Sequence, residues 1–194
     1  MRVIAGTLKG RKLEAPDWDG LRPTSDKLRE TLFNVLAPRT AGARVLDGYA
    51  GTGAVGIEAL SRGAAAVTFV ERDPRAVRLI EANLARCGVS DRYAIIRARF
   101  IDATFTGTEG FDIVFVDPPY GRDEMPRALA TAAPLVAGGG VLVVEHAKRD
   151  APPDRAGTLD RTRTLVSGDS ALTFYRRPPT GPEGVDGREI QARR

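Results

Sequence analysis

Residues 44–56 read Arg-Val-Leu-Asp-Gly-Tyr-Ala-Gly-Thr-Gly-Ala-Val-Gly (RVLDGYAGTGAVG). The reading of this stretch decides the fold. Arg44–Leu46 forms a short strand, and Gly51, Gly53 and Gly56 follow in the spacing GxGxxG. A helix over 54–62 comes next, closed by Gly63. Glycines between a strand and a helix let the backbone turn tightly and let a ligand approach it closely. The spacing alone is a weak signal, and its first meaning is a dinucleotide site.

Two acids qualify that meaning. Asp47 ends the strand, four residues before Gly51, where a carboxylate repels a pyrophosphate and suits a ligand carrying an ammonium or sulfonium. Glu71 ends the next strand and is placed to accept both ribose hydroxyls of an adenosine. NAD and S-adenosylmethionine share that ribose, but only S-adenosylmethionine brings positive charge to the loop. A structural role stays open for both acids, the more so for Glu71, where Arg72 and Asp73 make a charged strand end ordinary.

Outward from the loop the pattern alternates. Strands are predicted over 66–70, 94–97, 111–116 and 141–145, and helices over 74–87 and 123–136. Pro74 opens its helix at the first turn and Gly88 stops it. Gly138-Gly139-Gly140 reads as a hinge into the strand at 141, and residues 162–166 and 171–176 as an antiparallel pair finishing the sheet. Strands alternating with helices predict an α/β fold, a Rossmann-like, mostly parallel sheet covered on both faces. That domain spans 41–177, and the Pro- and Gly-rich segment 178–194 reads as a disordered tail.

Residues 1–40 precede it as an extension. Gly6 and Gly10 divide residues 2–14 into a β-hairpin or extended arm. Ser25 or Thr24 caps a helix from Asp26 to Leu36, which Pro38 ends. Leu28, Leu32, Phe33 and Leu36 recur at helical spacing on its buried face. Arg2, Lys9, Arg11, Lys12 and Arg22 cluster here with few acids nearby, either a nucleic-acid contact or a solvated basic face.

The strand at 111–116 ends in Asp117-Pro118-Pro119-Tyr120. Packing does not explain an acid, two prolines and an aromatic at a strand end. The prolines remove two backbone donors and stiffen the turn. What remains is a row of acceptors, the Asp117 carboxylate and the Pro118 carbonyl, beside an aromatic ring. That suits a planar base held by its NH2 group and stacked on Tyr120. A rigid turn capping the strand is the plainer alternative. Asp47 and Asp117 end the first and fourth strands, neighbours where the strand order of such a sheet reverses. An exocyclic amine is a poor nucleophile, because its lone pair is delocalised into the ring. Two acceptors pulling on its hydrogens favour the pyramidal form and aim that lone pair at a sulfonium methyl in line. The base must be flipped out to reach the turn. The adenine pocket is expected after the third strand, through backbone contacts of Arg99 and Phe100, with Asp102 as substitute.

Composition removes other classes. One cysteine and one histidine in 194 residues exclude a disulfide framework, a zinc cluster and a Ser-His or Cys-His device. Cys87, at a helix end, reads as structural, and His146, after a strand on the same sheet edge as Asp117, as a bystander rather than a catalyst. A net charge of +4 is compatible with a polyanionic partner. No apolar run reaches membrane-spanning length, and the start MRVIAGTLKGRK lacks a signal-peptide core, so a cytoplasmic location is the default.

Four stretches carry a resemblance: RVIAGTLKGRKLEAP (2–16), GLRPTSDKLRETLFNVLAP (20–38), LDGYAGTGAVGIEALSRGA (46–64) and FVDPPYG (115–121). The chain resembles the bacterial 16S rRNA guanine-N2 methyltransferase family, the RsmD type. The second stretch is the sharpest discriminator. The resemblance implies a seven-stranded Rossmann-like domain with an N-terminal extension. It implies S-adenosylmethionine as donor, S-adenosylhomocysteine as product, no metal, and a guanine amine of small-subunit rRNA as acceptor. Carried over, Asp117, Pro118, Pro119 and Tyr120 are the catalytic turn. Asp47, Tyr49, Gly51, Thr52 and Gly53 are the cofactor loop, and Glu71 is the ribose ligand. The Arg22-Pro23-Thr24 run closes over the cofactor, and Arg2, Lys9, Arg11, Lys12 and Arg22 bind rRNA phosphates. The implied partner is 16S rRNA, alone or in an assembly particle, and the implied state a monomer away from membranes. The sequence departs from the family at Arg99, where a small or acidic residue is usual, and over 145–163, which finds no match. Rival readings are an adenine-N6 methyltransferase, an NAD-dependent oxidoreductase and a non-catalytic RNA-binding assembly factor.

Overall fold

The computed structural model describes residues 1–18, 24–106, 109–119 and 124–178. Helix α1 is Asp26–Thr40, strand β1 Arg44–Asp47, α2 Ala54–Ser61, β2 Ala66–Val70, α3 Pro74–Cys87 and β3 Tyr93–Ile96. Strand β4 (Phe111–Val116), helix α4 (Glu124–Ala132) and strands β5 (Val136–Ala147), β6 (Arg155–Ala156), β7 (Leu159–Ser167) and β8 (Ser170–Arg176) complete the chain order. They build one sheet in the order β3-β2-β1-β4-β5-β8-β7-β6. Its first five strands are parallel and the last three join antiparallel.

From β1 the chain goes to β2 and β3 on one side, then returns to β4 on the other. The reversal falls between β1 and β4, where Asp47 pairs with Phe115. Asp117 therefore stands two residues beyond the partner of Asp47, and both acids emerge at the same sheet edge. Side chains alternate across the parallel strands: Val45, Ile113, Phe115, Val141 and Val143 join one buried cluster with α1 to α3. Leu46, Val114, Val116, Leu142 and Val144 join the other with α4.

The sheet has eight strands rather than seven, because the two-residue β6 pairs with β7 at Arg155–Asp160 and Ala156–Leu159. Helix α1 runs through Pro38 to Thr40 instead of ending before it. The bond this proline forfeits is to the carbonyl of Asn34, an exposed residue that water can serve, and the Thr40 hydroxyl donates to Leu36 O at 2.9 Å. Helix α4 stops at Ala132, a 3-10 turn covers Ala133–Leu135, and β5 begins at Val136. The glycine run lies within the bounds of that strand but at a break in its register: Val136 pairs with Phe111 and Val141 with Ile113, so residues 137–140 bulge out of the ladder and regular pairing starts at Val141. A Cβ on Gly140 would come within 2.9 Å of Phe111 O, so the close approach of β4 requires glycine there.

The N-terminal arm is a hairpin with one ladder bridge, Arg2 to Lys12, and Val3 and Leu13 enter the cluster that holds α1 and α2. Glu58 of α2, buried, accepts the Ile4 and Ala5 amides at 2.8 and 3.0 Å and the Arg62 Nε–H at 2.7 Å. Arg29 of α1, also buried, stands 3.8 Å from Glu58 and donates to Arg2 O at 2.8 Å. Among the described residues no helix is long and apolar enough to cross a membrane.

Candidate active site

The loop after β1 is shaped by glycines where a side chain would not fit. Gly51 has φ 54° and Gly53, the N-cap of α2, has φ 76°, both in the left-handed region. A Cβ on Gly48 would lie 2.9 Å from the Phe100 ring and from Val116. The loop is held from both sides. Gly48 N–H donates to Phe115 O at 2.8 Å and Ala50 N–H to Val70 O at 3.0 Å. Asn83 of α3 donates to Thr52 O at 3.0 Å and accepts the Glu14 amide at 2.7 Å, which ties this loop to the N-terminal arm.

Asp47 is 1% exposed. Its Oδ2 accepts the Gly56 N–H at 3.0 Å. Burial pushes its carboxyl up to about 7, the Gly56 amide partly offsets this, and nearby Glu71 adds to the rise. Such a carboxyl changes its charge close to neutral pH, and a cation beside it favours the ionised form.

Glu71 turns out to be largely engaged with backbone. Its Oε2 accepts the Gly51 N–H at 2.9 Å, and its Oε1 accepts the Arg72 and Asp73 amides at 2.7 and 2.8 Å. A carboxylate has about four acceptor positions, so one remains, on Oε2, for a ribose hydroxyl. Glu71 thus holds the glycine turn while keeping one acceptor position open.

A cleft opens between Gly48, Tyr49, Glu71, Arg99, Phe100 and Pro119. Tyr49 and Phe100 stack obliquely, with ring centroids 5.3 Å apart. The Tyr49 hydroxyl donates to Glu124 Oε1 at 3.1 Å. Burial, and next the Glu124 charge, push the Tyr49 phenol well above its usual range. Arg99 approaches Asp102 at 3.7 Å and Glu124 at 3.9 Å. Glu124 lines this cleft, which sequence reasoning missed; an acid opening the helix after the Asp117 turn was the available signal. The fit is to a cationic adenosine derivative. Gly48, Tyr49, Glu71 and Phe100 line the cleft, and Asp47, the buried residue before Gly48, holds a latent negative charge next to it.

Pro118 is buried and Pro119 exposed at the end of β4. Pro119 borders the first cleft, and Pro118 and Pro119 together border a second one of about 420 Å3. Pro119, two residues after Asp117, is therefore shared by both clefts. Tyr120 lies outside the described residues, as do Arg22, Pro23 and residues 179–194.

Thr24 donates to Glu145 Oε2 of β5 at 3.2 Å and is not among the residues lining the first cleft. Arg2, Lys9, Arg11 and Lys12 are all exposed on the arm. His146 is buried, with Nδ1 2.8 Å from Ala147 O and Nε2 2.8 Å from Thr173 Oγ1. Burial pushes its imidazole down, so it is neutral at pH 7, and its ring borders the second cleft. Cys87 is buried with its thiol pushed up, chiefly by burial.

Residues 1–176 match the model of the family described as conserved hypothetical protein 95. The chain is 36% identical over 188 residues to ribosomal RNA small subunit methyltransferase D of Escherichia coli, covering 96% of this chain and 94% of that one. Among solved structures, the Escherichia coli protein yhhF, described as a methyltransferase, aligns with TM-score 0.78 and 33% identity over 91% of this chain and 97% of its own. A hypothetical protein of Thermus thermophilus aligns with TM-score 0.74 and 33% identity over 90% and 98%.

Proposed function

This chain belongs to the RsmD-type methyltransferase family, described as conserved hypothetical protein 95, and from that premise we propose that it methylates the exocyclic N2 amine of a guanine in 16S rRNA. The donor is S-adenosylmethionine and the product S-adenosylhomocysteine. When bound, S-adenosylmethionine supplies a methyl carbon made electrophilic by the cationic sulfur beside it.

One observation carries this reading. The Asp117-Pro118-Pro119 turn sits at the strand reversal, where Pro119 borders the cleft beside the glycine loop and Pro118 and Pro119 border a proline-walled cleft. A donor in the first and a base in the second meet at this turn. Asp47 attracts the donor's positive charge, and the remaining acceptor on Glu71 takes a ribose hydroxyl. Tyr49 and Phe100 together form one apolar wall against the adenosine. Asp117 and the Pro118 carbonyl hold the amine hydrogens, which localises its lone pair, and the proton the amine sheds passes to Asp117 or to water. Positioning and charge carry the step. Tyr120 stacks on the flipped base in this reading, and the arm's Arg2, Lys9, Arg11 and Lys12 meet phosphates.

The test is methyl transfer from labelled S-adenosylmethionine to small-subunit RNA from cells lacking this gene, with the product nucleoside identified by mass. Wild type places label on guanine N2. Asp117→Ala abolishes transfer and leaves cofactor affinity within about twofold of wild type. Equal activity in that variant, or label on adenine N6, overturns the reading.

A further inference from the structure

The turn at Asp117 does not by itself distinguish guanine from adenine, because both present an exocyclic amine. The second cleft holds what could. At about 420 Å3 it falls in the range of small-molecule sites, roughly 300–1,000 Å3, and admits a base with its sugar. Pro118, Pro119, Met125 and Pro126 form apolar walls. His146 closes one side, but both its ring nitrogens are already satisfied, by Ala147 O and Thr173 Oγ1. The charged residues lining the cleft, among the described residues, are Arg149 and Asp150.

We infer that this cleft is the acceptor-base pocket and that Arg149 and Asp150, on the loop after β5, read the guanine edge. The inference rests on the methyl-transfer reading above and adds the base selectivity of the same site.

The loop is fixed at both ends. Lys148 N–H donates to Asp169 O at 2.8 Å and Asp150 N–H to Ala147 O at 2.9 Å. Pro152 and Pro153 stiffen the next segment, and the Tyr175 hydroxyl donates to Pro153 O at 2.7 Å. Arg149 and Asp150 stand 3.8 Å apart with side chains 86% and 57% exposed. An ion pair so exposed is worth little, so both groups can exchange each other for a ligand.

The chemistry then selects. With its N2 amine on the Asp117 turn, guanine presents N1–H, a donor, and then O6, an acceptor. The Asp150 carboxylate accepts the first and the Arg149 guanidinium donates to the second. Adenine, held by its N6 amine, presents the N1 lone pair instead. That lone pair would face the Asp150 carboxylate, acceptor against acceptor, and Arg149 would have no carbonyl to meet.

The deciding substrate is RNA carrying 2-aminopurine at the methylated nucleotide. This base keeps the reactive amine and lacks both O6 and N1–H. Wild type is expected to use it at least about tenfold less well than guanine, by kcat/KM, since both edge contacts are lost. Arg149→Ala and the isosteric Asp150→Asn are each expected to lose about tenfold on guanine while the guanine-to-2-aminopurine ratio falls toward one. S-adenosylmethionine affinity stays unchanged in both variants. An unchanged ratio overturns the inference, and so does an equal loss on both bases, the signature of a phosphate contact. Should wild type methylate guanine while both variants behave as wild type, only the base-reading role fails. Should wild type leave guanine N2 unmodified, the methyl-transfer reading itself fails.

Discussion

Asp47 accepts the amide of Gly56, nine residues ahead of it, at 3.0 Å, and this bond ties the end of β1 to the first turn of α2. The carboxyl is otherwise buried, and its pKa stands at about 7. Only its ionised form attracts a cationic donor. Affinity for S-adenosylmethionine is therefore expected to rise with pH up to about 7 and then level. At pH 6 roughly a tenth of the sites are ionised, which lowers affinity about tenfold from the plateau. Titration calorimetry should also register proton release on binding at pH 6. Asp47→Asn is expected to bind weakly at every pH with no slope; a wild-type slope in that variant refutes the assignment.

The same group predicts how the cofactor-free protein responds to pH. Its folded pKa, about 7, lies above the ordinary 3.8, so between those values the folded state holds a proton that the unfolded state has released. Stability then falls as pH rises from about 4 to 7, and is lowest, from this group, above 7. Asp47→Asn removes the dependence. Its melting temperature should exceed that of wild type at pH 7.5 by more than it does at pH 5, measured by thermal unfolding without cofactor. An equal difference at both pH values counts against the buried charge.

Glu58 is the anchor of the N-terminal arm, since its two oxygens take the Ile4 and Ala5 amides and the Arg62 guanidinium. Removing one partner of a buried pair strands the other. Glu58→Ala leaves Arg29 buried with Asp26 at 2.5 Å as its remaining acid, so the cost is expected near the low end of about 3–5 kcal/mol. Denaturant unfolding measures it. Hydrogen exchange at Ile4 and Ala5 should accelerate more than at β1.

Much of this is legible in the sequence. The alternation of strands and helices after Ala43, the glycine turn, and the two acids ending β1 and β4 all follow from spacing. What escaped has common physical causes. Pro38 reads as a helix stop, yet the carbonyl it deprives belongs to exposed Asn34, so α1 continues. Gly138–Gly140 reads as a hinge, and the strand register does break there, but the crowding of Gly140 against Phe111 O leaves no mark in the sequence. Glu71 reads as a ribose ligand alone, because backbone amides 20, one and two residues away leave no mark in sequence. Glu58, inside an apolar helix, gives no local sign that it is buried against a segment more than 50 residues earlier.

Gly56 and Gly138 make a matched pair of tests for close packing. A Cβ on Gly56 would lie 2.2 Å from the buried Phe69 ring, whereas on Gly138 it would meet nothing within 4 Å. Gly56→Ala must displace Phe69 and should cost at least about 1–3 kcal/mol. Gly138→Ala should stay within about 0.5 kcal/mol of wild type. Chemical denaturation of the two variants compares them directly, and a neutral Gly56→Ala would show that α2 can shift off β2.

The basic arm separates RNA contact from fold. Arg11 and Lys12 are exposed, while the bonds that shape the hairpin here are main-chain: Val3 N–H to Arg11 O at 2.9 Å and Leu13 N–H to Met1 O at 3.1 Å. Alanine at both positions therefore keeps the hairpin and its buried Val3 and Leu13. If the two cations neutralise phosphates, the double variant releases fewer counterions on binding. The slope of log K against log salt should become shallower by about 0.7–0.9 for each phosphate no longer neutralised, with weaker affinity at low salt. Thermal stability should not move. Binding to small-subunit RNA across a salt series measures this. An unaltered slope would assign the arm to packing, since a charge that meets phosphate cannot be deleted without changing the number of ions displaced.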